Sequence, residues 1–246
     1  MKKILLSLFI FCFSSLFVLA DEVANEKKVP SKYKMITYDV FGGLMYGAGF
    51  ASFDDVDETG ISPDIRVNSL YLFAGADFYA GGYYDKIAKR YKEYLITPMF
   101  GVQFDYNVWN KSSDNGNIFT LKNHLNLLFR LGVLFKLKFD TNAKLYFLVG
   151  MAQNSLKVLG NHYILPPDGW MYDVKKVKDI TALWGFGLDF IIKQHFLIGF
   201  EYRNIKFYHD NTYIKLDQYE DYPTSDNSFP LGLSMHYIMI KAGFAF

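Results

Sequence analysis

Leu121–Phe139 reads LKNHLNLLFRLGVLFKLKF, and one parity of it is almost wholly apolar. Leu121, Leu125, Leu127, Phe129, Leu131, Val133, Phe135, Leu137 and Phe139 share that parity, with Asn123 the one exception. Lys122, His124, Asn126, Arg130, Lys136 and Lys138 share the other. Successive side chains of a strand point to opposite faces, so this stretch predicts a strand that is greasy on one side and charged on the other. A helix cannot sort the same residues into those two sets.

The alternation recurs along the chain. Tyr38, Val40, Leu44, Tyr46 and Phe50 oppose Asp39, Gly43, Gly47 and Gly49. Leu70, Leu72, Ala74, Ala76 and Phe78 oppose Tyr71, Gly75 and Asp77; Phe100, Val102, Phe104 and Tyr106 oppose Gly101, Gln103 and Asp105. Further segments start at Leu145, Trp184, Phe196 and Ile238, with Tyr146, Asp189, Glu201, Arg203 and Lys241 on their polar parities. That makes eight segments, each able to cross a bilayer at about 9–11 residues per tilted strand.

The polar parity carries Gly, Ala, Tyr and single charges, which suits a crowded interior; the apolar parity is bulky and aromatic, which suits lipid. An open sheet cannot stand in hydrocarbon, because its edge groups stay unpaired. The fold class predicted is therefore all-β: a closed antiparallel transmembrane β-barrel of about eight strands. A soluble barrel of the lipocalin kind is the structural alternative.

The beginning of the chain sets the compartment. Lys2 and Lys3 precede a run from Ile4 to Leu19 that is apolar apart from serines and Cys12. Val18 and Ala20 are small residues before Asp21, the pattern of a cleaved secretory signal peptide. The run is shorter than the roughly 20 residues of a spanning helix. Cys12 has bulky Phe11 beside it, which argues against a lipidated cysteine. The expected organisation is a signal peptide over 1–20, a disordered charged segment over 21–34 and the barrel over 35–246. Cys12 is the one cysteine, so the mature chain has no disulfide and no thiol chemistry. Tyr (19) and Phe (24) are abundant, Pro (7) is scarce, and the formal charge of +1 offers no global field for nucleic acid or acidic lipid.

Asp140-Thr141-Asn142-Ala143 and Lys193-Gln194-His195 read as short turns, and 53–67, 107–118, 160–179 and 209–231 as long polar loops on the opposite, extracellular side. Asp85 to Glu93, carrying Lys86, Lys89, Arg90 and Lys92, is too long for a short turn: either that turn is extended or a strand boundary lies elsewhere. Tyr38, Tyr94, Trp109, Trp184 and Tyr237 are candidates for interfacial aromatic girdles.

The end of the chain carries a resemblance. Gly185-Phe-Gly187 opens a strand that turns at Lys193-Gln194-His195 into Gly199-Phe-Glu201-Tyr202-Arg203, and the chain finishes Lys241-Ala-Gly243-Phe244-Ala-Phe246. This resembles the last three strands of the small outer-membrane barrel superfamily, which includes porin-family surface antigens, opacity-type proteins and the OmpA membrane domain. The resemblance implies a bacterial outer-membrane location, with outer-membrane lipid as surroundings. It also implies a C-terminal signal, Phe244 and Phe246, read by the barrel-assembly machinery. No peptidoglycan-binding domain is expected after Phe246.

Asp39, Asp77, Asp105, Asp189 and Glu201 are expected to face Lys122, His124, Arg130, Lys136, Arg203 and Lys241 across the interior. In that reading Lys241 approaches Asp39 and Glu201, Arg203 approaches Asp189, and the ion pairs plug the lumen. A pore lined by the same groups is the rival, disfavoured because eight strands leave an interior that side chains fill. Catalysis finds little footing. Ser234 and His236 share one face of the last strand, but side chains two apart are not held in contact and no acid is placed to orient the histidine. His162 and His209 lack a third ligand for zinc. Asp54, Asp55, Asp57 and Glu58 cluster in the first loop. Asp210, Asp217, Glu220, Asp221 and Asp226 mingle with Tyr213, Tyr219, Tyr222 and Phe229 in the last. Such loops fit solvated contact surfaces better than fixed cation sites. Pro166-Pro167-Asp168-Gly169-Trp170 is a turn presenting an aromatic. The function expected is a non-enzymatic surface protein without metal or cofactor, serving envelope integrity, adhesion or contact with a host or surface ligand. A narrow channel is the first alternative and a lipid-modifying enzyme the second.

Overall fold

The computed structural model describes residues 36–53, 65–80, 82–85, 90–114, 119–137, 139–159, 163–165, 176–215 and 228–246; at 36, 82–85, 90–93, 163–165, 208–215 and 228–230 it describes the backbone alone. The expected signal peptide (1–20) and charged segment (21–34) lie outside these residues, as does Lys138.

Eight long strands follow one another: β1 Ile36–Phe53, β2 Ile65–Ala80, β5 Ile96–Ser113, β6 Phe119–Lys136, β7 Thr141–Val158, β9 Lys176–Ile192, β10 Phe196–Lys215 and β11 Ser228–Ala245. Among the described residues three short strands accompany them, β3 Gly82–Asp85, β4 Arg90–Glu93 and β8 Tyr163–Leu165. Each long strand pairs antiparallel with its neighbour, and β11 pairs with both β10 and β1. Phe244 lies opposite Phe196 on one side and Gly42 on the other, so the sheet closes into a barrel; β9 and β10 pair from Ile192–Phe196 up to Leu183–Ile205, and β8 pairs with β10 beyond that. At the seam Phe246 and Val40 exchange backbone hydrogen bonds of 2.8 and 3.0 Å.

The expected loops shrink because the strands run into them: the long-strand ends that lead into 54–64, 114–118, 159–175 (which includes β8) and 216–227 all lie at one end of the barrel. At the other end, 137–140 joins β6 to β7 and Lys193-Gln194-His195 joins β9 to β10. The anomalous segment between β2 and β5 is an extended turn: β3 and β4 form their own two-stranded hairpin there, with Asp85 opposite Arg90. The two tight turns contain consecutive residues of positive φ, Phe139 (61°) with Asp140 (52°) and Lys193 (52°) with Gln194 (63°). Two successive left-handed residues match the twist of the flanking strands, the geometry of a type I′ hairpin.

Alternation decides what each face carries. Leu44, Phe100, Phe129, Phe147, Phe186 and Ile240 are exposed on the outside, while Phe41, Tyr71, Arg130, Tyr146, Arg203 and Lys241 are buried inside. Inward glycines make room for that filling. A methyl group at Gly187 would stand 2.5 Å from the Tyr146 ring, and one at Gly199 would collide with the Asp189 carboxylate.

The faces do not keep the same chemistry along the barrel. The strands are 16 to 20 residues long, far beyond the roughly 9–11 that a bilayer needs. Toward the long connections the inside becomes apolar: Phe53, Ile65, Phe119, Leu121, Leu156 and Phe207 are buried, with Phe53 and Phe119 rings 5.0 Å apart. The outside there becomes basic, with Arg66, Lys111, Lys157, Lys176, Lys178 and Lys206 exposed.

One bulge makes the switch on β6. Register slips between Asn123 and Leu125, so Asn123, Leu121 and Phe119 turn inward and Lys122 turns outward. This corrects the expectation that Leu121 shares the outer face of Leu127 and that Lys122 and His124 line the interior; both are half-exposed, and His124 Nε2 lies 2.8 Å from Ser155 Oγ. A second slip at Leu70/Tyr71 places Val108 and Trp109 both outside. Tyr38, Tyr94, Trp109 and Trp184 are exposed, but Tyr237 is buried inside and belongs to no girdle.

Candidate functional site: the charged lumen

Nine charged side chains converge within the barrel. Asp39 and Asp77 are cross-strand partners on β1 and β2, and Lys144 Nζ sits between them, 2.9 Å from Asp39 Oδ2 and 2.8 Å from Asp77 Oδ2. Arg130 Nη2 donates to Asp189 Oδ2 at 2.6 Å, and Nη1 lies 3.4 Å from Asp77 Oδ2. The Arg130 guanidinium is layered between aromatic faces, 3.9 Å from the Tyr146 centroid and 4.5 Å from that of Phe41.

Lys241 Nζ donates to Glu201 Oε1 at 2.9 Å and to Asp189 Oδ2 at 3.1 Å, and reaches Gln103 Oε1 and the Tyr146 oxygen, each at 3.2 Å. The Tyr146 hydroxyl stands 2.8 Å from Asp189 Oδ1 and 2.9 Å from Glu201 Oε1, so its single proton serves one carboxylate at a time. Arg203 completes the chain, with Nη1 2.5 Å from Asp105 Oδ2 and Nε and Nη2 both donating to Glu201 Oε2. Gln103 Nε2 also donates to Asp105 Oδ1 at 2.9 Å. Asp77, Asp105, Arg130, Lys144, Asp189, Arg203 and Lys241 are wholly buried and Glu201 nearly so; only Asp39 has some exposure.

The arrangement differs from the expected pairings in three ways. Lys241 does not meet Asp39, because its partner on β1 is Met45, well above Asp39. Arg203 does not meet Asp189: Asp189 faces Gly199, while Arg203 faces Gly185 and leans toward Asp105. Lys144, absent from the sequence expectation, takes the place assigned to Lys241 at Asp39. It sits at the edge of a turn that the sequence predicts to reach Ala143, whereas β7 begins at Thr141. Lys136, also expected inside, is half-buried near the end of β6.

Chemically, the site can hold itself rather than a substrate. Cations and carboxylates alternate and neutralise one another, though Arg130 Nε and Asp77 Oδ1 are buried without a hydrogen-bond partner, and large rings close the space between them. A buried charge of this kind needs its partner, since stranding one costs about 3–5 kcal/mol.

The candidate catalytic pair lies elsewhere, on the outer face of β11. His236 stacks on Phe50 with centroids 5.1 Å apart, and its Nδ1 is 2.7 Å from the Tyr202 hydroxyl. Asn204 Nδ2 approaches the same nitrogen at 3.2 Å. Ser234 is the cross-strand partner of Ser52 and Lys206, and His236 that of Phe50 and Asn204. No group of three or more His, Cys, Asp or Glu side chains is disposed to hold a metal among the described residues. His162, Trp170 and the acidic clusters at 54–58 and 217–226 lie outside the described residues, and at His209, Asp210, Tyr213 and Phe229 only the backbone is described.

No family model and no curated protein matches the chain. Among solved structures it is similar to Ail, the attachment invasion locus protein of Yersinia pestis, in complex with the heparin analogue sucrose octasulfate. The identity is 14%, covering 85% of this chain and 99% of that one, with a TM-score of 0.32. It is similar also to Neisserial surface protein A (11%, 85% and 97%, TM-score 0.36). A third is the outer membrane protein OprG of Pseudomonas aeruginosa (11%, 85% and 95%, TM-score 0.36). The architecture of the present chain rests on its own strand register.

Proposed function

We propose that the chain is an exported protein of the bacterial outer membrane, a barrel closed to ions, acting through surface contact rather than through catalysis or transport. The observation that carries this reading is the interlocked set Arg130–Asp189, Lys241–Glu201 and Arg203–Asp105, buried across a lumen that aromatic side chains fill. An interior of paired charges inside an apolar exterior is the arrangement lipid demands and water does not. Residues 1–20 supply the export signal. Phe244 and Phe246, both exposed on the outer face of the closing strand, supply the mark for the assembly machinery. The long connections at the opposite end are the parts offered to a host or surface ligand, in adhesion or in envelope integrity.

The test is single-channel recording of the refolded mature chain in a planar bilayer, with folding verified by resistance to unfolding in detergent. The expected result is a folded, inserted and electrically silent protein. Reproducible conductance steps altered by Arg130→Gln would overturn the plug and make the chain a narrow channel. Hydrolysis of labelled lipid by the same preparation would overturn the non-enzymatic reading.

A further inference from the structure

The formal charge of +1 conceals a separation of charge in space. Five carboxylates, Asp39, Asp77, Asp105, Asp189 and Glu201, point into the lumen, whereas the outer face toward the long connections is cationic. On β7 and β9 this outer face is most concentrated. Lys157 and Lys176 are cross-strand partners, and Lys178, two residues along the same face, is the partner of Ser155. All three lysines are exposed. Like charges directly opposite one another on a sheet repel. Among the described residues, no Asp or Glu shares this outer face: Asp179, between Lys178 and Ile180, has the inward parity of its buried partner Asn154, and its Oδ1 accepts the Ile180 N–H at 2.7 Å.

Immediately below the lysines the same two strands turn apolar. Ile180 is 64% exposed, and Met151 and Trp184 are exposed beyond it. Three ammonium groups therefore stand at the upper edge of the apolar band, in mutual repulsion, at the depth where a bilayer places its headgroups. A soluble polyanion would have no use for that adjacency; a lipid needs both parts, apolar surface for its chains and cations for its phosphate.

We propose that Lys157, Lys176 and Lys178 bind the phosphates of anionic lipid headgroups in the leaflet on the side of the long connections. This rests on the membrane reading above. A lysine beside an anionic membrane surface is worth about fivefold in partitioning, and three together about a hundredfold. The bound phosphate also relieves the repulsion between Lys157 and Lys176.

The experiment uses the mature chain and the Lys157→Gln/Lys176→Gln/Lys178→Gln variant, each refolded into phosphatidylcholine vesicles with and without phosphatidylglycerol. The readouts are the urea unfolding midpoint and the lipids retained in native mass spectrometry. The expected result is a midpoint that rises with anionic lipid for the parent chain only, accompanied by retained phosphatidylglycerol, and falls back at high salt. In pure phosphatidylcholine the variant should unfold no earlier than the parent, because it has lost only a repulsion. An equal response of both chains to anionic lipid overturns the proposal while leaving a membrane barrel in place. So does a rise produced by inorganic phosphate in pure phosphatidylcholine, which would mark a site for a free anion. Failure of the parent to insert into either membrane would remove the membrane reading and this proposal together.

Discussion

Asp39 and Asp77 stand directly opposite each other on the inner faces of β1 and β2, and Lys144 reaches across the barrel from β7 to join them. Two carboxylates in that position repel unless a cation lies between them. Lys144→Met should therefore cost about 3–5 kcal/mol, the scale of stranding buried charge. Adding Asp77→Asn to Lys144→Met should return part of that loss, since it removes the repulsion between the two carboxylates that Lys144 separated, although it also takes a partner from Arg130. Urea unfolding of the two variants in detergent micelles checks this; an additive effect of the pair would mean that Lys144 and Asp77 do not interact.

Glu201 is held by two cations on separate strands, Arg203 beside it on β10 and Lys241 on β11. Glu201→Ala should lower the unfolding midpoint by more than Ser234→Ala, which alters a half-exposed hydroxyl on the outer face. The loss expected is again about 3–5 kcal/mol. An unchanged midpoint for Glu201→Ala would remove the ion-pair lattice as a source of stability.

Much of this architecture is legible in the alternation of residues, because the period of a strand is local and needs no partner to be seen. All eight long strands show it, and Tyr146, Asp189, Glu201 and Arg203 fall on the inner face as their parity requires. Partner choice is not legible in the same way. Whether Lys241 meets Asp39 or Glu201 depends on the stagger of strands around the barrel, which sets Lys241 opposite Met45 and Gly199. Alternation contains no record of stagger. The bulge on β6 did leave a trace, in Asn123 as the single polar residue of an otherwise apolar parity. A bulge adds one residue to one strand and so exchanges the faces beyond it. Lys144 was obscured for a different reason, since the ends of strands beside tight turns are where sequence marks boundaries least sharply.

The turn between β9 and β10 is closed by residues poorly suited to it. His195 N donates to Ile192 O at 3.2 Å around Lys193 and Gln194, both at positive φ. Side chains with a Cβ in that region cost about 1–2 kcal/mol each, a penalty that Gly avoids and Asn reduces. Lys193→Asn with Gln194→Gly should accordingly stabilise the barrel, by about 1 kcal/mol or more. A lower unfolding midpoint for the double variant would mean that Lys193 or Gln194 has a contact outweighing its backbone strain.

The exchange of faces on β6 can be read out residue by residue. Below the bulge, Phe129 and Leu131 are exposed outside and Leu128 and Leu134 are buried within; above it, Leu121 and Phe119 are the buried ones and Lys122 is half-exposed. Along β6 an apolar exterior thus gives way to a polar one while the interior changes in the opposite sense. Single cysteines at Phe129, Leu121 and Lys157, placed in a chain that starts at Asp21 and so lacks Cys12, should report three different surroundings. Nitroxide labels at Phe129→Cys should be relaxed by oxygen, which concentrates in hydrocarbon. Labels at Lys157→Cys should be relaxed by a water-soluble nickel complex. Leu121→Cys, enclosed by packed side chains, should resist labelling in the folded barrel and accept it after denaturation. Rapid labelling of Leu121→Cys in the folded state, or oxygen relaxation at Lys157→Cys equal to that at Phe129→Cys, would mean that one face continues unbroken along β6 and β7 and that Lys157 does not stand above the apolar band.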